Sequence, residues 1–507
     1  MSTPVLAPPA APSRPAASGA RHAAWTIALR ELTDHLVSAR FLVIALLVVG
    51  LTPLAVYVGA RDYHVRLAEY GRLTAERQER VGGPAGEQVR GMDSGDERIM
   101  LRAMRAPEPL SVLVRGLDGA LPQYWEFTSV GVEAGPSAAS TQRLADVLGQ
   151  LDMEFLVRIV LGLLAILLAF DAVAGEKEMG TLRAVLSHSV PRPAFMAGKV
   201  IGGAVTLLVP LAAAFLLALL SARFFGVDLL APDTLSRAAL LAAASALYLM
   251  CLYSLGLMVS SVVTAQKTAL VVLLVAWVAM VLAIPPTSTL VAQAVSPVPA
   301  PYLVATQKRA LDADLRRTAE LAMGEAYMRV AGQTEVTMSG RIYEENRAAM
   351  DRAFTPIMTD YFSQRRRALG EVDRDAERRA AVQARVARAI MSLSPAAAFA
   401  SAAADLAGTG DADYRAWREA VRRQQTRLDA ALFEDPPTLR IQATECCSMT
   451  TDLRVPPPVA SLPAFAPPQR DAGAAVGRSL GALGLLLLYT ALFVAGGFVA
   501  FGRYDVR

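Results

Sequence analysis

The chain has 507 residues, of which 54% are hydrophobic, and a formal net charge of +4. Its mean hydropathy of +0.36 is too high for a soluble protein of this length, and the apolar residues are clustered. The small net charge, with no basic stripe interleaved with aromatic residues, argues against a nucleic-acid-binding protein.

The N-terminal residues precede the first long apolar run. Residues 1–23 are rich in Ala, Pro and Ser, which predicts a disordered tail, and no signal peptide is evident. Residues 24–40 repeat apolar side chains at helical spacing, with Arg30 and Asp34 on another face. This pattern predicts an amphipathic helix in the membrane interface; a soluble helix packed against a partner is the alternative.

The apolar runs of the chain are read as transmembrane helices, because crossing the hydrocarbon core takes about 20 apolar residues. Charged residues, which are costly to place in lipid, end each run. Pro53 is expected to kink the first of them. The six predicted spans are 41–58, 154–170, 200–220, 238–262, 269–284 and 474–501, followed by a tail of residues 502–507.

Two long polar segments separate the spans. Residues 59–153 contain the short β-type run Leu110 to Val114, which predicts a mixed α/β domain. Residues 286–472 follow the fifth span, which Pro285 and Pro286 are expected to end. The apolar spacing in this segment predicts a larger, mainly helical domain. Acids and bases alternate within its charged run QRRRALGEVDRDAERRAA, which favours a solvated helix face over an anion site.

Residues 171–199 form a charged loop between the second and third spans. Its acidic and basic residues near Glu176 set a membrane boundary. Gly180 permits a sharp turn, Thr181 can N-cap the short helix LRAVLSHS, and Pro191 stops that helix. These residues alone allow either an ordinary capped loop or a rigid knob that docks on a partner.

The order of residues in this loop resembles that of a known family. The pattern D-x-x-x-x-E-x-E-x-G-T-L after one span, then P-R-P-x-x-x-x-G-K before the next, is similar to the cytoplasmic loop of permease subunits of ATP-binding-cassette transporters. It is closest to the type-2 exporter permeases, in a subgroup with large external inserts. The residues that match are Asp171, Glu176, Glu178, Gly180, Thr181, Leu182, Pro191, Gly198 and Lys199.

The resemblance implies a role for the loop and a set of partners. In such permeases this loop is a coupling helix that sits in a groove of a separate ATPase subunit. It also implies an elbow helix before the first span and a pair of permeases, either two copies or this chain with a sister chain. The expected ATPase-coupling residues are Asp171, Glu176, Glu178, Gly180, Thr181 and Leu182.

Recognisable catalytic motifs are missing from the sequence. There is no G-x-x-x-x-G-K-[ST] loop, so we expect no ATP hydrolysis and no cofactor in this chain, with ATP bound by the partner ATPase. The three cysteines, Cys251, Cys446 and Cys447, and the scattered histidines have no metal-binding spacing. Few ionisable residues lie in the centres of the spans, which argues against an ion-coupled carrier. Energy is therefore expected to come from a docked ATPase.

The short segments set the orientation. Basic residues of the N-terminal segment, the loop 171–199, the turn at Lys267 and the C-terminus fall on one side of six spans. We therefore predict an all-α polytopic protein of the bacterial inner membrane with both termini cytoplasmic and two external domains. The expected function is export of an unidentified substrate. The alternatives are an ATP-driven movement of the external domains on a periplasmic partner and, without support from any residue constellation, a membrane-anchored enzyme.

Overall fold

The computed structural model describes residues 17–81, 101–119, 121–128, 131–135, 151–187, 190–333, 340–432, 439–443, 449–453 and 463–504. Six helices in this part of the chain are long and apolar enough to cross a membrane. The predicted all-α polytopic fold is therefore confirmed. The spans, numbered 1 to 6, are Ala39–Ala75, Met153–Glu178, Arg192–Phe224, Pro232–Val262, Gln266–Val295 and Ala472–Gly502.

An elbow helix, Ala17–Leu36, precedes span 1 and packs along the start of span 3. Two glycines of span 3 permit this close approach. A Cβ at Gly198 would lie 2.8 Å from the carbonyl oxygen of Ala24, and a Cβ at Gly202 would lie 2.8 Å from the Glu31 side chain. On the outer face of the elbow helix Trp25 is 58% exposed. The helix therefore buries small residues on one side and presents apolar side chains on the other.

The helix of span 1 extends far beyond the predicted 41–58. It runs from Ala39 to Val81 and continues through Pro53. At 1.5 Å per residue it is about 65 Å long, roughly twice the thickness of the hydrocarbon core. Its polar second half therefore projects beyond the apolar part of the bundle and carries the first of two segments that we call external, in the sense that they lie outside the spans.

The first external segment packs on this projecting helix. Its strands β1 (Leu101–Met104), β2 (Tyr124–Thr128) and β3 (Gly131–Ala134) form an antiparallel sheet in that order. The predicted strand at Leu110 to Val114 was wrong, since Pro109–Val112 is a 3-10 helix. All the side chains from Leu110 to Val114 are buried, so the run lacks the exposed alternate positions of a half-buried strand.

Two long helices after span 5, Pro301–Ala331 and Arg347–Met391, form an antiparallel hairpin that we call the arm. Lys308 pairs with Asp373 at 2.9 Å between Nζ and Oδ2, which fixes the register of the two helices. A short helix, Gly340–Glu345, lies at the tip. The tip has its own small core that includes Tyr327, Tyr343, Met350 and Phe354.

The second arm helix returns into the membrane bundle. It runs antiparallel to the outer half of span 5, where the Ser296 hydroxyl donates to the Arg379 carbonyl oxygen at 3.0 Å. The chain then turns, and Ser394 donates to the carbonyl oxygen of Met280 at 2.6 Å. At 1.5 Å per residue, Met280 lies about 20 Å along span 5 from the end nearest loop 171–187. The turn therefore lies at a depth within the hydrocarbon core, which is about 30 Å thick, and nearer its far side.

A short wedge helix, Pro395–Ala407, follows this turn and packs against spans 4 and 6. Phe399 stacks on Tyr248 of span 4 with 4.7 Å between ring centroids. The Ser394 hydroxyl also accepts from the Ala397 amide and so caps the wedge helix. Part of the segment predicted as external, 286–472, therefore lies inside the bundle. Its 13 residues are too few for a transmembrane span, so hydropathy did not reveal its depth.

Span 5 also differs from its predicted range, 269–284. A π-helical turn, Ala279–Ala283, leads into a further helix, Ile284–Val295, so the span does not end at Pro285 and Pro286. Both prolines occupy the first turn of that helix, where a missing backbone donor is tolerated. The proline pair therefore marks an irregularity within span 5 and not its end.

The external segments before span 2 and after span 5 form one body. The helix Asp411–Leu432 lies across the three-stranded sheet, where Trp417 packs on Trp125 with 5.9 Å between ring centroids. A two-stranded antiparallel sheet, β4 (Leu439–Ala443) and β5 (Met449–Leu453), follows in sequence. Cys446 and Cys447 lie outside the described residues.

Candidate functional site

Residues 171–187, which we call the knob, fold into two short helices, Ala174–Glu178 and Thr181–Ser187. Gly180 between them has a φ of +73°, a conformation that glycine adopts without steric cost. Thr181 is the first residue of the second helix, and its hydroxyl donates to the Glu176 carbonyl oxygen at 3.4 Å. Thr181 therefore links the two helices instead of capping the second.

Glu176 faces the bundle and pairs with a buried lysine. Its Oε1 lies 2.7 Å from Nζ of Lys199 in span 3, and the same Nζ lies 2.6 Å from Oε2 of Glu31 in the elbow helix. Burial raises the pKa of Glu31, but His35 and Lys199 outweigh it and leave that pKa below its usual value. One cation therefore joins the knob, span 3 and the elbow helix.

Lys177 and Glu178 of the knob contact the turn between spans 4 and 5. The Lys177 ammonium donates to the carbonyl oxygen of Val263 at 3.2 Å and to that of Ser261. Oε2 of Glu178 accepts from the backbone amide of Gln266, the first residue of span 5, at 2.9 Å. The knob is therefore hydrogen-bonded to the end of span 4 and to the start of span 5.

Two further contacts fix the start of the knob. The Ser260 hydroxyl in span 4 donates to the Phe170 carbonyl oxygen at 2.9 Å and accepts from the Ala174 amide at 2.9 Å. Asp171 pairs with Arg40 of span 1 at 2.8 Å. These contacts anchor the first turn after the apolar run to spans 1 and 4.

The far side of the knob is exposed. Met179 at its tip is 68% exposed, whereas Leu182 is only 1% exposed and packs into the core of the bundle. The structure thus divides the six expected coupling residues into two groups. Asp171, Glu176 and Leu182 face the bundle, while Glu178, Gly180 and Thr181 are exposed beside Met179.

A comparison with protein families decides the class of this chain. The model of the ABC-2 family transporter proteins matches residues 25–506. This chain belongs to that family. The permease is therefore the membrane subunit of an ATP-binding-cassette transporter, a subunit that is typically non-catalytic and that pairs with a cytoplasmic ATPase. None of the curated proteins matches the chain.

Several residues that hold the knob of the permease were not among the predicted site residues. Lys177 of the knob donates to backbone carbonyl oxygens, Ser260 bonds to backbone groups of the knob, and Gln266 offers its backbone amide to Glu178. No sequence motif reports contacts with backbone groups. Glu31 and Arg40 come from the N-terminal segment, far from the knob in sequence. One signal in the sequence did indicate a buried ion pair. Lys199 lies at the start of an apolar run, where an unpaired charge would be costly.

A second charged cluster lies at the opposite end of the permease, where the external body meets the spans. Its centre is Asp118, whose carboxylate is fully buried and lies 2.6 Å from the Arg66 guanidinium, with Arg105 beside it. Burial raises the pKa of Asp118, but the two guanidinium groups outweigh it and hold that pKa below its usual value. The Asp118 carboxylate is therefore charged at neutral pH.

Asp413 is the second fully buried carboxylate of this cluster, 3.1 Å from Arg478 of span 6. Glu108 lies 2.7 Å from Arg237 of span 4 and 3.0 Å from Arg470. These contacts form the outer ion network, which ties spans 1, 4 and 6 to the external body. Its members are Arg66, Arg105, Glu108, Asp118, Arg237, Asp413, Arg470 and Arg478.

Proposed function

We propose that this permease couples ATP hydrolysis by a separate cytoplasmic ATPase subunit to the export of a substrate, with the knob as the docking element. The observation that supports this proposal is the combination of an exposed tip with buried contacts to the elbow helix and spans. A flexible loop would dissipate a displacement of its tip. The knob instead is held by buried ion pairs and backbone hydrogen bonds, so it moves as one piece with the spans.

The contacts suggest that some residues of the knob dock on the ATPase and that others transmit the displacement to the spans. Met179, Gly180 and Thr181 are exposed at the turn and would enter the groove of the ATPase. Glu176 would pass the displacement through Lys199 to span 3 and the elbow helix. Lys177 and Glu178 would pass it to spans 4 and 5. Asp171, Glu176, Glu178, Gly180, Thr181 and Leu182 thus remain the proposed coupling residues, some by docking and others by transmission.

A complete transporter would contain two permeases and two ATPase subunits. In spans 1, 5 and 6 fewer than a third of the residues in the most apolar stretch are buried, whereas spans 2 and 4 are mostly buried. The faces of spans 1, 5 and 6 that are not buried provide surface both for lipid and for a second permease, either an identical copy or a sister chain. We place the permease in the bacterial inner membrane, with the knob and both termini in the cytoplasm.

A second candidate function is mechanical action without transport. The outer ion network and the long helix of span 1 connect the external body rigidly to the spans. Displacement of the knob would then move this body against a periplasmic partner. Substrate flux in reconstituted vesicles would support export, and ATP-dependent capture of a soluble periplasmic protein by the full permease, without flux, would support mechanical action. The full chain is required because residues 286–472 include the wedge helix.

The docking role of the exposed tip is tested by Met179→Asp. We expect at least a tenfold loss of permease-stimulated ATPase activity, because a carboxylate would replace the apolar group that enters the groove. Thr268→Asp adds the same charge to an exposed residue near the start of span 5 and should change the rate less than twofold. Rates are measured on the complex in vesicles. Unchanged stimulation in Met179→Asp would contradict docking through this tip.

A further inference from the structure

The membrane-proximal end of the second arm helix, residues 379–391, carries basic residues and no acidic ones. Acids and bases are mixed in the preceding part of the helix, where the last ion pair within the helix joins Arg379 to Asp375 at 2.8 Å between Nε and Oδ2. The stretch from Arg379 to Ser394 contains no carboxylate. Arg385 and Arg388 in this stretch are exposed and are three residues apart, so they share one face of the helix.

The contacts of this helix with span 5 give the depth of both arginines. Ser394 lies level with Met280, about 20 Å from the knob end of span 5 at 1.5 Å per residue. Counting back along the arm helix from Ser394 places Arg388 about 30 Å and Arg385 about 35 Å from the knob end of span 5. The hydrocarbon core is about 30 Å thick, so both guanidinium groups lie where the phosphates of the leaflet remote from the knob are found.

Within the part of the chain that the structure describes, no carboxylate lies at ion-pair distance from Arg385 or Arg388. Arg388 makes one hydrogen bond, from Nε to the carbonyl oxygen of Ala384 at 3.1 Å, which leaves its other donors available. Apolar side chains lie deeper in the same region: Leu393 is 65% exposed and Leu282 of span 5 is 52% exposed. An anionic group beside the two arginines, joined to an apolar chain beside the two leucines, would satisfy both pairs of side chains.

We propose that Arg385 and Arg388 bind the phosphate of an anionic phospholipid in the leaflet remote from the knob. A free phosphate would satisfy the arginines but not the apolar residues beneath them, whereas a phospholipid satisfies both. The bound lipid would hold the foot of the arm against span 5, next to the turn that leads into the wedge helix. This site is independent of the proposed docking of the ATPase.

The test compares two double variants of the full permease in detergent by native mass spectrometry, with phosphatidylglycerol or phosphatidylcholine added. We expect Arg385→Gln/Arg388→Gln to bind phosphatidylglycerol about tenfold or more weakly, since each basic group near a membrane surface contributes about 1 kcal/mol. Arg374→Gln/Arg378→Gln removes the same charge from the same helix face, about 15 Å further from the membrane, and should change binding less than twofold.

Four outcomes would overturn the proposal. Unchanged phosphatidylglycerol binding in Arg385→Gln/Arg388→Gln would remove the site. An equal loss in both double variants would indicate a general effect of net charge. Displacement of the lipid by millimolar inorganic phosphate would indicate a site for free anions. Loss of a dimer peak, with lipid binding retained, would show that a second copy of the permease covers these arginines.

Discussion

Reversing the charges of Glu176 and Glu178 is expected to abolish the ATPase activity that the permease stimulates, while expression and membrane insertion persist. A lysine at 176 would face Lys199, which is only 5% exposed and would lose one of its two carboxylate partners. A lysine at 178 cannot accept the hydrogen bond from the Gln266 amide. The contacts of Glu176 with span 3 and of Glu178 with span 5 would be broken together. The measurement is ATP hydrolysis by the reconstituted complex.

The matched control reverses two exposed carboxylates of the arm, in Asp314→Lys/Glu325→Lys. It makes the same change in net charge and should leave the stimulated rate within a factor of two. Full stimulation in Glu176→Lys/Glu178→Lys would contradict the transmission of force through these contacts.

Lys199→Met separates transmission from docking, because it leaves the exposed tip unchanged. It leaves Glu31 and Glu176 without their shared cation, and removing one partner of a buried ion pair costs about 3 to 5 kcal/mol. Adding Glu31→Gln and Glu176→Gln to this variant should recover much of the lost free energy of unfolding, because the uncompensated buried charges are then gone.

Asp118→Asn is expected to lower the free energy of unfolding by about 3 to 5 kcal/mol at pH 7, because Arg66 and Arg105 would lose their shared buried carboxylate. The effect depends on pH with a definite sign. The folded-state pKa of Asp118 is depressed, so its contribution is present above its unfolded pKa of about 3.9 and is lost as pH falls through the lower folded value. The gap between wild type and variant should therefore narrow below about pH 4.

This prediction is checked by the thermal unfolding midpoint of the purified permease between pH 3 and pH 7. Asp411→Asn removes a half-exposed carboxylate of the same body, paired at the surface with Arg415, and should shift the midpoint little at any pH. An Asp118→Asn protein as stable as wild type at pH 7 would show that the outer ion network does not hold the external body on the spans.

The sequence predicts the spans and the knob because both depend on local chemistry. Long apolar runs need lipid, and the charges beginning at Asp171 cannot follow them there. Gly180 produces the predicted turn because its φ of +73° is a property of that residue and its neighbours. The family resemblance of this loop, confirmed by the match over residues 25–506, rests on the same short-range pattern.

The wedge helix and the outer ion network escaped prediction because they depend on contacts between distant segments. The wedge helix is rich in alanine and has only 13 residues, so nothing local shows that Ser394 reaches Met280 within span 5. Asp118 and Asp413 each look like ordinary surface carboxylates in sequence. Their burial follows from the packing of separate segments, such as the pairing of Arg105 with Asp413 about 300 residues later, which no single-sequence pattern reveals.

The orientation of the knob is tested most directly by thiol labelling of Met179→Cys in a background that carries Cys446→Ser and Cys447→Ser. A membrane-impermeant maleimide should fail to label this cysteine in intact cells and should label it in inside-out vesicles. Arg374→Cys on the exposed face of the arm should show the opposite pattern. Labelling of Met179→Cys from outside intact cells would contradict a cytoplasmic knob, and with it the proposed coupling to a cytoplasmic ATPase.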